Sequence, residues 1–107
     1  MTVYQGEWQD ATIASGGTST DEINLAMRCD FMEVQIPTLT SCTIKVQTAE
    51  DKGGTYRDLG DGVTTRTTTG NFHAKCPLGT GGWQWVKIVV SAAQASAVTF
   101  RVQGGRS

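Results

Sequence analysis

Cys42-Thr43-Ile44-Lys45-Val46-Gln47 alternates apolar and polar side chains without a miss, and the same period returns along much of the chain. Successive side chains of an extended strand point to opposite faces. The period therefore sends Cys42, Ile44 and Val46 to a core and Thr43, Lys45 and Gln47 to water. On one side of this stretch, Met32, Val34 and Ile36 alternate with Glu33 and Gln35, and Pro37 is expected to close that strand. Further back, Ile23, Leu25, Met27 and Cys29 alternate with Glu22, Asn24, Ala26 and Arg28. On the other side the pattern recurs at Phe72, Ala74 and Cys76 and again at Val98, Phe100 and Val102. An N-terminal strand is expected over roughly residues 7–13. Segments with one buried and one wetted face are the mark of antiparallel sheet.

Turn chemistry separates these strands. Ser15-Gly16-Gly17 follows the first, and Asp51-Lys52-Gly53-Gly54 and Asp61-Gly62 bracket a short segment carrying Tyr56 and Leu59. Asp-Gly supplies the positive φ that a tight hairpin needs. Gly79-Thr80-Gly81-Gly82 precedes the strand Trp83–Val90. The Thr64–Thr69 run reads as a polar edge strand or hairpin, and the Ala- and Ser-rich Ser91–Ala97 stretch as a plain loop in preference to a helical turn. The sum is an all-β chain: an antiparallel two-sheet sandwich or jelly roll of about eight short strands, one domain over residues 1–107. Val34, Ile36, Ile44, Val46, Phe72, Val86, Ile88, Phe100 and Val102 are its expected core.

Composition agrees. The 107 residues include 13 Gly, and only 38% are hydrophobic. Thr, abundant here, is stiff at χ1 and suits strands over helices. Nine basic residues balance ten acidic ones for a formal charge of −1, and they do not cluster. Nucleic-acid binding needs several phosphates neutralised together, so no such partner is expected. No apolar run approaches the roughly 20 residues of a membrane helix. Met1-Thr2-Val3-Tyr4-Gln5 lacks the charged and apolar regions of a secretory leader, so a protein made and kept in, or assembled in, a cytosol is expected. Cys29, Cys42 and Cys76 are odd in number, widely spaced and on the apolar side of their strands, which points to buried free thiols without a disulfide or zinc site.

Little in the chain points to catalysis. His73, the single histidine, shares a polar strand face with Asn71 and Lys75, and a nucleophile–base site needs a base oriented by a third group. The acids lie mainly at turns, where Asp stabilises unusual backbone. Asp51 and Asp61 lack the spacing of a calcium loop, and the Gly-rich segments lack a P-loop lysine. No enzyme activity, cofactor or metal is expected.

The aromatic residues say more. In Trp83–Val90, Gln84, Val86, Ile88 and Val90 share one face, while Trp83, Trp85, Lys87 and Val89 share the other. Lysine is rarely buried unpaired, so the even face should be the core and Trp83 and Trp85 should look outward. Outward tryptophans mark a contact surface, unless a loop or the N-terminal arm covers them or Lys87 only lays its stem along a buried face. Val3, Tyr4 and Trp8 precede any turn signal. They suggest either an extended N-terminal arm over residues 1–7 that adds to a neighbour's sheet edge, or an ordinary first strand. Val3, Tyr4, Trp8, Trp83 and Trp85 are the candidate interface.

Two resemblances follow. The run Cys42–Thr48 with Asp51, Gly53-Gly54-Thr55-Tyr56 and Leu59 resembles a phrase of small phage virion proteins, in which a strand leads through a Gly-Thr-Tyr turn into a short aromatic strand. Trp83–Ser91, Val98–Val102 and the opening Ala14–Thr20 with Ile23-Asn24-Leu25 resemble other strands and turns of the same proteins. This resemblance implies a capsid decoration (cement) or head–tail protein, held in a virion assembled in the host cytoplasm. The implied partners are the major capsid protein or other virion proteins, met as a homo-oligomer or multi-copy lattice. The strand Trp85-Val86-Lys87-Ile88 behind an Asp-Gly–aromatic turn is also similar to discoidin-like, galactose-binding jelly rolls, which imply a glycan as the alternative partner. Neither resemblance carries catalytic or cofactor residues.

Overall fold

The computed structural model describes residues 4–59, 68–79 and 81–106, with side chains for 6–59, 69–79 and 81–106. Nine strands run through them: β1 (Tyr4–Gln5), β2 (Gln9–Ile13), β3 (Ile23–Cys29), β4 (Phe31–Cys42), β5 (Ile44–Ala49), β6 (Arg57–Asp58), β7 (Thr68–Pro77), β8 (Trp83–Val90) and β9 (Val98–Arg106). One sheet has the order β2-β9-β4-β7, with β1 also on β9; the other has the order β3-β8-β5-β6. All pairings are antiparallel. Leaving β1 aside, this is an eight-strand jelly roll, in which consecutive strands from β2 to β9 lie in different sheets, except β5 and β6.

The core is the set of inward positions that the alternation selects. Val34, Ile36, Ile44, Val46, Val86, Ile88, Phe100 and Val102 are buried between the sheets, joined by Ile13, Leu25, Met32, Leu78 and all three cysteines. Phe72 departs from expectation: it is half-buried and packs against the core from β7, at the border of its sheet.

Three local expectations are corrected. Pro37 does not close its strand; β4 continues to Cys42. Pairing with β9 stops at Gln35↔Arg101, so Pro37 lies where β4 has a ladder on one side only and a missing N–H is tolerated. Met27 is not inward but 37% exposed. β3 carries an irregularity: Asn24 pairs with Trp85 and Cys29 with Trp83, so three more residues lie between the β3 pair than between the β8 pair. Ala26 takes the left-handed conformation there (φ 73°), and the Asn24 side chain accepts its N–H at 2.8 Å. The excursion turns Ala26, Met27 and Arg28 outward and returns Cys29 to the core.

Over its described part, the N-terminal segment lies along β9. Tyr4 and Gln5 pair with Arg106 and Gly105, and Gln9–Ile13 with Val98–Val102. Gly6 between them donates to the Gly104 carbonyl and accepts from Gln103 Nε2. The Asp61-Gly62 turn and most of the Thr64–Thr69 run lie outside the described residues; Thr68 and Thr69 open β7. Residues 91–97 form the expected loop, closed by a buried Gln94 whose side chain accepts from the Thr40 N–H and donates to the Ala92 carbonyl.

Candidate functional site

The outer face of the β3-β8-β5-β6 sheet carries the site. The β8 residues Trp85 and Lys87 point to this face and are half-buried, opposite the buried Val86 and Ile88. In register, Asn24 of β3 and Ala49 of β5 flank Trp85, and Gln47 of β5 flanks Lys87. The turn after β5 folds back across this row. Gly53 occupies its positive-φ corner (φ 70°), and Gly54 N–H closes it onto the Asp51 carbonyl at 3.0 Å.

Glu22, just before β3, ties the turn down. Its Oε2 accepts the Gly53 N–H at 2.6 Å and the Tyr56 hydroxyl at 2.7 Å. The Gly53 N–H first, then the Tyr56 hydroxyl, hold the Glu22 carboxyl below the usual carboxylate range. Tyr56 moves the other way: desolvation, and then the bond to Glu22, push its hydroxyl above the ordinary phenol range. Lys87 Nζ stands 4.5 Å from the centroid of the Tyr56 ring, a cation–π contact that fixes both side chains. Asn24 Oδ1, besides the Ala26 N–H, accepts from Gln84 Nε2 at 3.0 Å.

These groups enclose an open hollow of about 640 Å³ lined by Asp21, Glu22, Asn24, Lys52, Tyr56, Trp85 and Lys87 with Gly53 and Gly54. Two aromatic side chains, two carboxylates, two ammonium groups and one amide share its wall. Both signs of charge are present, together with hydrogen-bond donors and acceptors.

Trp83 occupies a different place from Trp85. Across the β3 irregularity from Cys29, it packs partly against the core, and the outward position expected for it is realised only in part. It borders two further hollows of about 510 and 520 Å³ on either side of the Glu50-Asp51 turn. Trp8, 38% exposed, lies between β1 and β2 on the other sheet and lines none of these hollows. Tyr4 is placed by its backbone on β9, and Val3 lies outside the described residues. The candidate interface is thus dispersed, and Trp85 is the member that stands in a built site. Sequence reading passed over Glu22, Asn24, Tyr56 and Lys87 as partners. The Gly53-Gly54 turn and the polar Lys87 on a strong strand were the available signals.

The other reactive groups sit elsewhere. His73 faces Gln35 on the outside of the five-stranded sheet, and Arg101, next in that row, is tied to Asp10 at 2.7 Å. Burial raises the thiol of each cysteine, that of Cys76 to about 11, which holds them protonated. Among the described residues no three His, Cys, Asp or Glu side chains gather as a metal site.

No family model and no curated protein matches the sequence. Solved structures do match the fold. The SPBc2 prophage-derived protein YomS superposes with a TM-score of 0.58 at 19% identity, covering 95% of both chains. A chitosan-binding module from a chitosanase/glucanase of Paenibacillus sp. IK-5 gives 0.57 at 14%, covering 88% of this chain and 75% of that one. A carbohydrate-binding module of Clostridium perfringens, solved with GlcNAc-α-1,4-galactose, gives 0.51 at 14%, covering 97% and 88%. The chain is thus similar in fold to a prophage-derived protein and to carbohydrate-binding modules, the two kinds of protein its sequence resembles.

Proposed function

We propose that this chain is a non-enzymatic virion protein of a bacteriophage or prophage, a decoration or head–tail component that works by binding. The observation that carries the reading is the end-to-end superposition on a prophage-derived protein, 95% of each chain. It supports a module of the same size and layout. Jelly rolls serve in capsid and lectin domains alike, so the fold suits a binding role. The chemistry of the chain adds to it. Its thiols are protonated and buried, its histidine faces an amide, and its most organised polar cluster is a static tether of Glu22, Gly53 and Tyr56. Many copies on a lattice make a modest interface sufficient through avidity.

Co-sedimentation tests it. Purified protein added to particles of its own phage that lack it should pellet with them and saturate at a fixed ratio to the major capsid or tail protein. Protein left wholly in the supernatant, with the free domain folded, contradicts the role.

A further inference from the structure

We infer that the hollow between Trp85, Tyr56, Glu22 and Asn24 is a binding subsite for an uncharged pyranose sugar. The inference deepens the reading of the chain as a binding protein, and rests on it only in assuming that the outer face of this sheet meets a ligand.

Trp85 stands half-buried in the middle of a strand, flanked by the small Ala49 and the polar Asn24 at the wall of the hollow. An indole left in this position offers a flat apolar face to a ligand. Around it the polar groups are held in place before any ligand arrives. Glu22 takes both its bonds on Oε2, so Oε1 remains an acceptor aimed from a fixed carboxylate. Lys87 is pinned over Tyr56, and Asn24 by the Ala26 N–H and Gln84. Fixed groups lose little entropy on binding, which is what allows a shallow site to hold a small ligand.

The ligand class follows from what the wall rejects. Asp21 and Glu22 against Lys52 and Lys87 give no net charge, so neither a phosphate-bearing nor a cationic ligand is favoured. An apolar ligand would strand four charged groups without water. A neutral pyranose has one apolar face of C–H groups for the indole and hydroxyls around its rim that both donate and accept. Glu22 Oε1 and Asp21 accept from those hydroxyls, while Lys52 and the Asn24 amide supply donors. At about 640 Å³ the open hollow is within the size range of small-ligand sites and has room for one ring and part of the next.

The test is titration of the isotope-labelled protein with N-acetylchitotetraose, lactose and cellotetraose, followed by NMR, with tryptophan emission in parallel. At least one sugar should shift the Trp85 indole and the Gly53 amide and half-saturate at about 1 mM or below. Trp85→Ala should weaken that binding at least about tenfold and Glu22→Gln by a similar factor, the scale of a lost hydrogen bond to a charged group. His73→Gln, on the outside of the other sheet, should leave it unchanged. Should Trp85→Ala fail to fold, Glu22→Gln and the wild-type shift map still decide. No shift at Trp85 or Gly53 with any of the three sugars overturns the inference, as does binding that Glu22→Gln leaves intact. Attachment to particles without sugar binding defeats this inference and spares the virion role; sugar binding without attachment does the reverse.

Discussion

At the scale of the residue, Glu22 and Tyr56 make the sharpest claims. Glu22 has a folded pKa below its unfolded value, so its tether stabilises the protein above the ordinary carboxylate range, near pH 4.3. That contribution is lost as pH falls through the lowered value. A carbon-detected titration should find Glu22 losing its charge later than a free glutamate on acidification. Tyr56→Phe should move it only part of the way back, since the Gly53 N–H is the larger cause. Titration at or above the free-glutamate value contradicts the geometry. Tyr56 carries the opposite sign: its raised pKa gives stability that is present below about pH 10 and lost as pH rises through the folded value. In a Tyr4→Phe protein the phenolate absorption band should therefore be absent at pH 10 and develop only above it.

Close packing at single residues is equally testable. A Cβ on Gly105 would run into the Phe31 ring, and one on Gly104 would lie 2.8 Å from Cys29 Sγ. Gly104→Ala and Gly105→Ala should each destabilise by about 1–3 kcal/mol in chemical denaturation. Ile44→Ala and Phe100→Ala, which open cavities in the core, should each lose about 2–5 kcal/mol. Unchanged midpoints for all four would contradict the placement of β9 and the core.

At the scale of the element, most strands were legible because a half-buried strand writes its burial into every second residue. β5 is the clearest case: Cys42, Ile44 and Val46 lie inside as their period requires. β3 was legible only at its ends. Its apolar period runs through Met27, but the left-handed Ala26 shifts the face, and that turn is made by an Asn24 side chain rather than by glycine. Ala26→Gly should therefore stabilise the protein by about 0.5–1 kcal/mol, removing the left-handed penalty less the entropy of glycine. A loss of stability would mean that the excursion is shaped differently. The Gly104-Gly105 pair lies within β9, where side-chain space is taken by Leu25, Cys29 and Phe31. Such close approach is a property of the partner strands, and a single strand's pattern does not contain it.

At the scale of the whole molecule, alternation predicted two antiparallel sheets but not which strands neighbour each other. The candidate site depends on that order. Glu22, Tyr56 and Lys87 are far apart in sequence, and the β3-β8-β5 adjacency brings them together. Trp85 was found from its own strand, and its partners became visible only with the topology. The cysteines, by contrast, were legible from the alternation of their own strands, and all three are buried and unbridged. Native protein should react slowly with a thiol reagent near neutral pH, and unfolded protein should show three free thiols without reductant. A single thiol would reveal a disulfide and contradict the structure.

The central claim is that this jelly roll is a part of a phage particle. Quantitative mass spectrometry of particles purified from its own phage or induced prophage tests that most directly. The chain is expected in the particle at many copies, in fixed ratio to the major capsid or tail protein and retained through gradient purification. Particles that are complete and infectious without it would contradict the claim if the chain is found only in the lysate.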